Sequence, residues 1–140
     1  MILLDTNVVI HYLKGDPAIV AHMRRTSRTD MAIPAIVVYE LEYGTLRAKL
    51  HPGRRRDLEV GLEQIQHVPF DTAAANRAAS IRFELERQGL TIGPLDILIA
   101  GTAVSLGATL VTNNATEFSR IPGLRVLDWK SAGPAIPKPR

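Results

Sequence analysis

"MILLDTNVVIHYLKG", residues 1–15, changes its hydrophobic period after the fourth residue. Ile2 to Leu4 is a continuous apolar run, the pattern of a strand buried on both faces, and it ends on Asp5. "TNVVIHYLKG" (6–15) then has helical spacing and stops at Gly15. A buried strand that feeds straight into a helix opens a parallel α/β sheet, and the chain repeats the unit. "DPAIVAHMRRTS" (16–27) predicts a second helix, with Asp16 as N-cap and Pro17 in its first turn, and "DMAIP" (30–34) a second strand. "AIVVYELEYGTLRAK" (35–49) and "RRRDLEVGLEQI" (54–65) predict two helices separated by "LHPG", and "HVPF" (67–70) a third strand. Asp71 caps a long helix, "TAAANRAASIRFELERQ" (72–88), closed by Gly89. After "LTIGP" comes "LDILIAGTAVSLG" (95–107), apolar all round and so expected to be buried on most faces. "ATLVT" (108–112) and "LRVLD" (124–128) read as the fourth and fifth strands. The expectation is an α/β domain over residues 1–130, with a four- or five-stranded parallel sheet flanked by helices on both faces. Residues 131–140, "SAGPAIPKPR", read as a Pro-rich, flexible C-terminal tail.

Composition narrows the function classes. The chain has 140 residues, enough to bury one core, with 46% hydrophobic and 22% charged residues, values of a globular protein. With no cysteine, it has no disulfide framework, thiolate metal site or thiol nucleophile, which fits a reducing cytoplasm. No secretory leader is visible, because strand and acid occupy the first five residues, and no apolar run reaches the roughly 20 residues of a membrane span. The net charge is only +3, but 13 of the 17 basic residues are Arg. Arg24, Arg25 and Arg28 form one cluster, and Arg47, Lys49, Arg54, Arg55 and Arg56 another. Planar guanidinium groups suit a nucleic-acid backbone, and a solvated helix face is the competing reading.

Three acids stand where acids are costly. In an open parallel sheet, ligands bind outside the carboxyl ends of the strands, where Asp5 ends the first strand and Asn113 and Asn114 follow the fourth. In "ELEYG", Glu40 falls within the stripe of Ile36, Val37, Leu41 and Gly44, whereas Glu42 shares a mixed outer face with Val38 and Thr45. In "GPLDILIAG", Asp96 lies in a first helical turn behind Pro94, which suits a cap, yet it shares its face with Ile99, Ala100 and Ala103. Three inward carboxylates raise one another's pKa and need a cation, and no buried Lys or Arg is evident. A hard divalent ion with oxygen ligands, Mg²⁺ or Mn²⁺, resolves the conflict, and its waters supply a nucleophile for phosphodiester hydrolysis. Zinc fits less well without Cys or a His ligand spacing.

"LLDTN", "YELEYG", "GPLDILIAG" and "TLVTNNATEFSRIPGLRVLDW" occur in this order and together resemble the PIN-domain ribonuclease toxins of VapC type, over Ile2 to Trp129. The resemblance implies a PIN-like fold, a metal-dependent endoribonuclease, a cognate VapB-type antitoxin that binds near the active site, and a toxin homodimer. Operator DNA is then bound only through the antitoxin, and no membrane is involved. By position, Asp5, Glu40 and Asp96 match the family's metal-binding acids, and Thr6 matches a residue that supports the site by hydrogen bonding. Thr112 and Asn114 match the segment after the fourth strand, where many relatives place a fourth acid. Asn114 can coordinate through its carbonyl or orient a water, but it adds no charge. Glu117 could restore that charge, although it reads first as a solvated helix acid. The wider series "RQG", "GPLD", "IAG", "VTNN", "EF", "GL" and "DW" is similar to a subgroup that cleaves initiator tRNA in the anticodon stem-loop, so tRNA is the favoured substrate.

Two other readings remain. One is a non-catalytic nucleic-acid- or partner-binding module with a vestigial acidic site, of which Asn114 would be the first sign. The other, a nucleotide-binding or phosphotransfer domain, lacks G-x-G-x-x-G and G-x-x-x-x-G-K-[ST]. Tyr39 and Tyr43 flank Glu40 and could stack a base, although aromatics at helical spacing more often belong to a core or interface.

Overall fold

A computed structural model describes residues 1–130, so the expected tail over 131–140 lies outside the described residues. Five strands form one all-parallel sheet: β1 (Ile2–Leu4), β2 (Met31–Pro34), β3 (Gln66–Val68), β4 (Thr109–Val111) and β5 (Arg125–Leu127), in the order β3-β2-β1-β4-β5. β1 is therefore central, pairing Ile2 with Met31 on one side and Thr109 on the other, and all three of its residues are buried.

Seven helices connect the strands: α1 (Thr6–Leu13), α2 (Pro17–Arg25), α3 (Ala35–Ala48), α4 (Pro52–Glu63), α5 (Thr72–Arg87), α6 (Pro94–Leu106) and the single turn α7 (Ala115–Phe118). Parallel crossovers are right-handed, so connections that run outward from β1 to β3 cover one face, and the return from β3 to β4 covers the other. α1 to α4 belong to the first set, and α5 and α6 to the second. The strand order reverses between β1 and β4, which makes the crevice above their carboxyl ends the place for a ligand.

Caps fix most helix starts. Asp16 accepts hydrogen bonds from the Ala18 and Ile19 N–H groups, and Asp71 accepts from Ala74 N–H at 2.9 Å. α4 begins two residues earlier than its predicted start. His51 is its N-cap, accepting through Nδ1 from Gly53 N–H at 3.1 Å, and Pro52 takes the first helical position, where no N–H is needed. β3 begins at Gln66 rather than 67 and ends before Pro69; as an edge strand it leaves Gln66 and His67 exposed, which blurs its apolar signature. α6 ends on Gly107 in the left-handed conformation, at φ 62°. It packs so closely on α5 that a Cβ on Gly101 would stand 2.7 Å from both the Ala74 carbonyl oxygen and Ala78 Cβ. Trp129, buried, stacks on His22 at 5.0 Å and ties the segment after β5 to α2.

Candidate active site

The carboxyl ends of β1 and β4 meet through main-chain hydrogen bonds. Leu4 pairs with Val111, and Asp5 N–H donates to the Val111 carbonyl at 2.9 Å. That pairing sets Asp5 beside Thr112, the residue after β4. Asp5 is buried, and its carboxylate is held from two sides: Thr6 N–H donates to Oδ1 at 2.8 Å and Thr112 Oγ1 donates to Oδ2 at 2.6 Å. Burial pushes the Asp5 pKa above the usual carboxylate range, and the hydrogen bonds from Thr112 and Thr6 oppose it. Asp5 also caps α1, so its charge meets the positive end of a helix dipole.

Thr6 serves a second acid. Its hydroxyl donates to Glu40 Oε1 at 2.7 Å, joining the start of α1 to the middle of α3. Glu40 is half-buried while Glu42 is exposed and ion-paired with Arg55, as the helical faces predict. Asp96 occupies the first turn of α6 and is half-buried. Its pKa is pushed up to about 6, first by burial and then by the negative charges of Asp5, Glu40 and Glu117. The four acids thus share one electrostatic neighbourhood, with no ion pair from Lys or Arg to any of them among the described residues.

Glu117 differs from its first reading as a solvated acid. The chain turns into α7 right after Asn114, which brings Glu117 inward; its Oε2 accepts from Asn114 Nδ2 at 2.8 Å. A four-residue helix gives too little periodicity to be seen in sequence. Asn114 N–H in turn donates to Thr112 Oγ1 at 3.0 Å, so Thr112 links Asp5 to this turn. Asn113, between them, buries both polar atoms of its carboxamide without a hydrogen bond among the described residues, at a cost of about 1–3 kcal/mol.

These residues offer only oxygen donors and excess negative charge, a set that suits a hard divalent cation. The spacing is open: among the described residues no three acidic or His side chains stand close enough to share one metal ion.

The Arg clusters separate. Arg24 and Arg25 end α2, and Arg28 follows in the 3-10 turn (Arg28–Asp30) that leads into the amino end of β2. They therefore lie toward the end of the sheet opposite the acids, and Arg28 donates to Gln64 Oε1 at 2.5 Å. Arg54 and Arg56 are exposed on α4, whereas Arg55 is engaged by Glu42 and Glu59. Tyr39 and Tyr43, expected in a core or interface, are 57% and 53% exposed on this single chain.

A family model, the PIN domain, matches residues 2–124. The chain belongs to the PIN-domain family. Within that family it is similar to VapC ribonucleases. It is 39% identical over 127 residues to the tRNA(fMet)-specific endonuclease VapC of Shigella flexneri, covering 91% of this chain and 96% of that one. The structure of VapBC2 from Rickettsia felis bound to a promoter DNA fragment superposes with a TM-score of 0.85 at 34% identity, covering 92% of this chain and 99% of that chain. DNA-bound VapBC from Salmonella typhimurium gives 0.79 at 38% identity, covering 91% and 97%. At these similarities over nearly its whole length, the chain is a VapC-type ribonuclease of the PIN-domain family.

Proposed function

We propose that this chain is the toxin of a toxin–antitoxin pair and cuts the phosphodiester backbone of RNA, with initiator tRNA as its substrate. The observation that carries the reading is the cluster of Asp5, Glu40, Asp96 and Glu117, which pushes Asp96 up to about 6 at the switch point of a parallel sheet. Substrate and partner are supported by the relatives, named as tRNA(fMet)-specific endonucleases and solved as VapBC complexes on DNA.

Asp5, Glu40 and Asp96 would hold Mg²⁺ or Mn²⁺ by drawing their carboxylates closer than they stand in the ion-free chain, with Glu117 supplying the charge that Asn114 lacks. The ion, when bound, supplies an acidified water and neutralises charge on the scissile phosphate. The protein's own part is positioning. Thr112 and Thr6 hold the two Asp5 oxygens fixed, and the Thr6 hydroxyl holds Glu40, so two of the acids need no reorganisation during the reaction. Asp96, ionised above about pH 6, supplies the remaining charge at working pH. A VapB-type antitoxin, binding operator DNA on the pair's behalf, a toxin homodimer and a cytoplasmic location complete the proposal. Among the described residues no helix is long and apolar enough to cross a membrane.

A second reading, a non-catalytic RNA- or partner-binding module, draws on the open spacing of the carboxylates. One experiment separates the two. Purified chain with Mg²⁺ or Mn²⁺ is incubated with initiator and elongator tRNAs, and the 5′ ends of the products are mapped. Cleavage of initiator tRNA alone, abolished by Asp5→Asn with the fold retained, is expected. An intact chain that cuts no RNA with either ion refutes the enzyme reading.

A further inference from the structure

The four acids are not held alike. Asp5 accepts hydrogen bonds at both carboxylate oxygens, Glu40 accepts from the Thr6 hydroxyl, and Glu117 accepts from the Asn114 carboxamide. The Asp96 carboxylate has neither a hydrogen bond nor an ion pair among the described residues. Moving any of the first three toward a shared ion breaks a charge-assisted hydrogen bond, whereas moving Asp96 breaks none. Some movement is needed, because no three of these side chains stand close enough to share one ion. Repulsion from Asp5, Glu40 and Glu117 keeps Asp96 at its distance until a cation offsets their charge. Asp5 and Glu40 thus form a preset half of the site, and Asp96 is the half that is free to close.

Gly93, the N-cap of α6, borders this carboxylate. Its φ of −56° and ψ of 146° are open to any residue, so the backbone does not ask for glycine. Ser, Asp or Asn there would cap the free N–H groups of the first turn, which glycine leaves uncapped. What a side chain would do is fill the space beside Asp96. A Cβ on Gly93 would stand 3.4 Å from Asp96 Oδ2 and 3.8 Å from its Cγ. Chain neighbours aside, it would meet no other atom within 4 Å among the described residues. That is contact without overlap, so a methyl group fits the ion-free position of Asp96 and closes the space on that side of it.

We infer that Gly93 is a positioning residue for metal binding: by leaving the space beside Asp96 empty, it lets that carboxylate turn from its ion-free position toward an ion held by Asp5 and Glu40. A methyl group at position 93 would pack on Oδ2 in the ion-free arrangement, favour it by contact, and take up the room in which the carboxylate turns. The glycine gives up a helix cap for that freedom. This inference rests on the proposed metal-dependent function, and adds to it the acid that moves and the residue that lets it move.

The test is calorimetric titration of the full-length chain with Mn²⁺ at neutral pH, paired with thermal unfolding in chelator. Gly93→Ala and Gly93→Ser should each bind Mn²⁺ about tenfold more weakly than the parent. In chelator, Gly93→Ser should melt no lower than the parent, because serine supplies the missing cap, and this separates room beside Asp96 from stability of the helix start. Gly61→Ala is the matched control. Its Cβ would stand 3.4 Å from Leu13 Cδ2, at the far end of α1 from Asp5, and the Mn²⁺ affinity should not change. Either position-93 variant binding Mn²⁺ like the parent overturns the inference, and so does a weakening that Gly61→Ala shares. A weakening matched by a lower melting temperature of both position-93 variants in chelator also overturns it, because a damaged helix start then accounts for the loss. If the parent binds Mn²⁺ and cuts initiator tRNA while the position-93 variants match its affinity, only this inference fails; a parent that takes up no Mn²⁺ overturns the proposed function as well.

Discussion

Replacing Asp96 by Asn should stabilise the metal-free protein while removing its activity. The Asp96 pKa lies near 6 in the folded chain against 3.8 ordinarily, because burial and the charges of Asp5, Glu40 and Glu117 all disfavour its ionised form. The folded state therefore binds the extra proton between those values, and stability falls as pH rises from about 4 to 6. Converted directly, the difference is about 3 kcal/mol at pH 7.5. Asp96 is only half-buried, and its place in the first turn of α6 stabilises its charge, so about 1–2 kcal/mol is the expected net penalty. For a chain of this size that corresponds to a melting temperature higher by about 3–8 °C in the variant at pH 7.5. The assay is thermal unfolding of both chains in chelator across pH 4 to 8, read as the difference between them so that other titrations cancel. The difference should vanish near pH 4 and grow to its full value by pH 7. Added Mg²⁺ or Mn²⁺ should raise the melting point of the parent and not of Asp96→Asn, because an ion that binds only the folded site stabilises it. A variant that is less stable than the parent at pH 7.5, or a difference that does not change with pH, would refute the electrostatic account of this site.

Two further predictions concern the scaffold. Thr112→Val removes the 2.6 Å hydrogen bond to Asp5 and the acceptor of Asn114 N–H; it should cost about 1–3 kcal/mol in urea unfolding, and the acidic limb of the kcat/KM profile should move to higher pH as Asp5 loses its donor. Gly101→Ala sets a Cβ 2.7 Å from the Ala74 carbonyl oxygen and should destabilise by about 1–3 kcal/mol despite the better helix propensity of alanine. Ala78→Gly should not rescue it fully, because the Ala74 carbonyl and Ala78 main chain remain.

Much of this architecture was legible in the sequence because the physics was local. A central parallel strand is buried on both faces, so "ILL" and "MAIP" appear as uninterrupted apolar runs, and Asp16, Asp71 and Gly107 mark helix ends through bonds to their own neighbours. The inward lean of Glu40 and Asp96 followed from counting helical faces. What was not legible depends on contacts distant in the chain or on too few residues. The edge strand β3 shows its polar side to water and so reads one residue late at its start. Glu117 turns inward through one short helix whose direction is set by the Asn114 and Thr112 bonds. The exposure of Tyr39 and Tyr43 could not be read from a spacing that suits a core equally well, and the two Arg clusters look alike until the fold sets Arg24, Arg25 and Arg28 before the amino end of β2 and Arg54, Arg55 and Arg56 at the start of α4.

The pairing of Asp5 with Thr112 joins the beginning of the chain to a residue 107 positions later. Asp5 is thus made well before Thr112, and it gains its hydroxyl donor only when the fourth strand has docked against the first. Glu117 comes later still. At synthesis rates of about 5–20 residues per second, some 5–20 seconds separate the two ends of the site. For a nuclease whose proposed substrate serves translation, that order has a use: the emerging chain cannot assemble its site while most of it is still to be made.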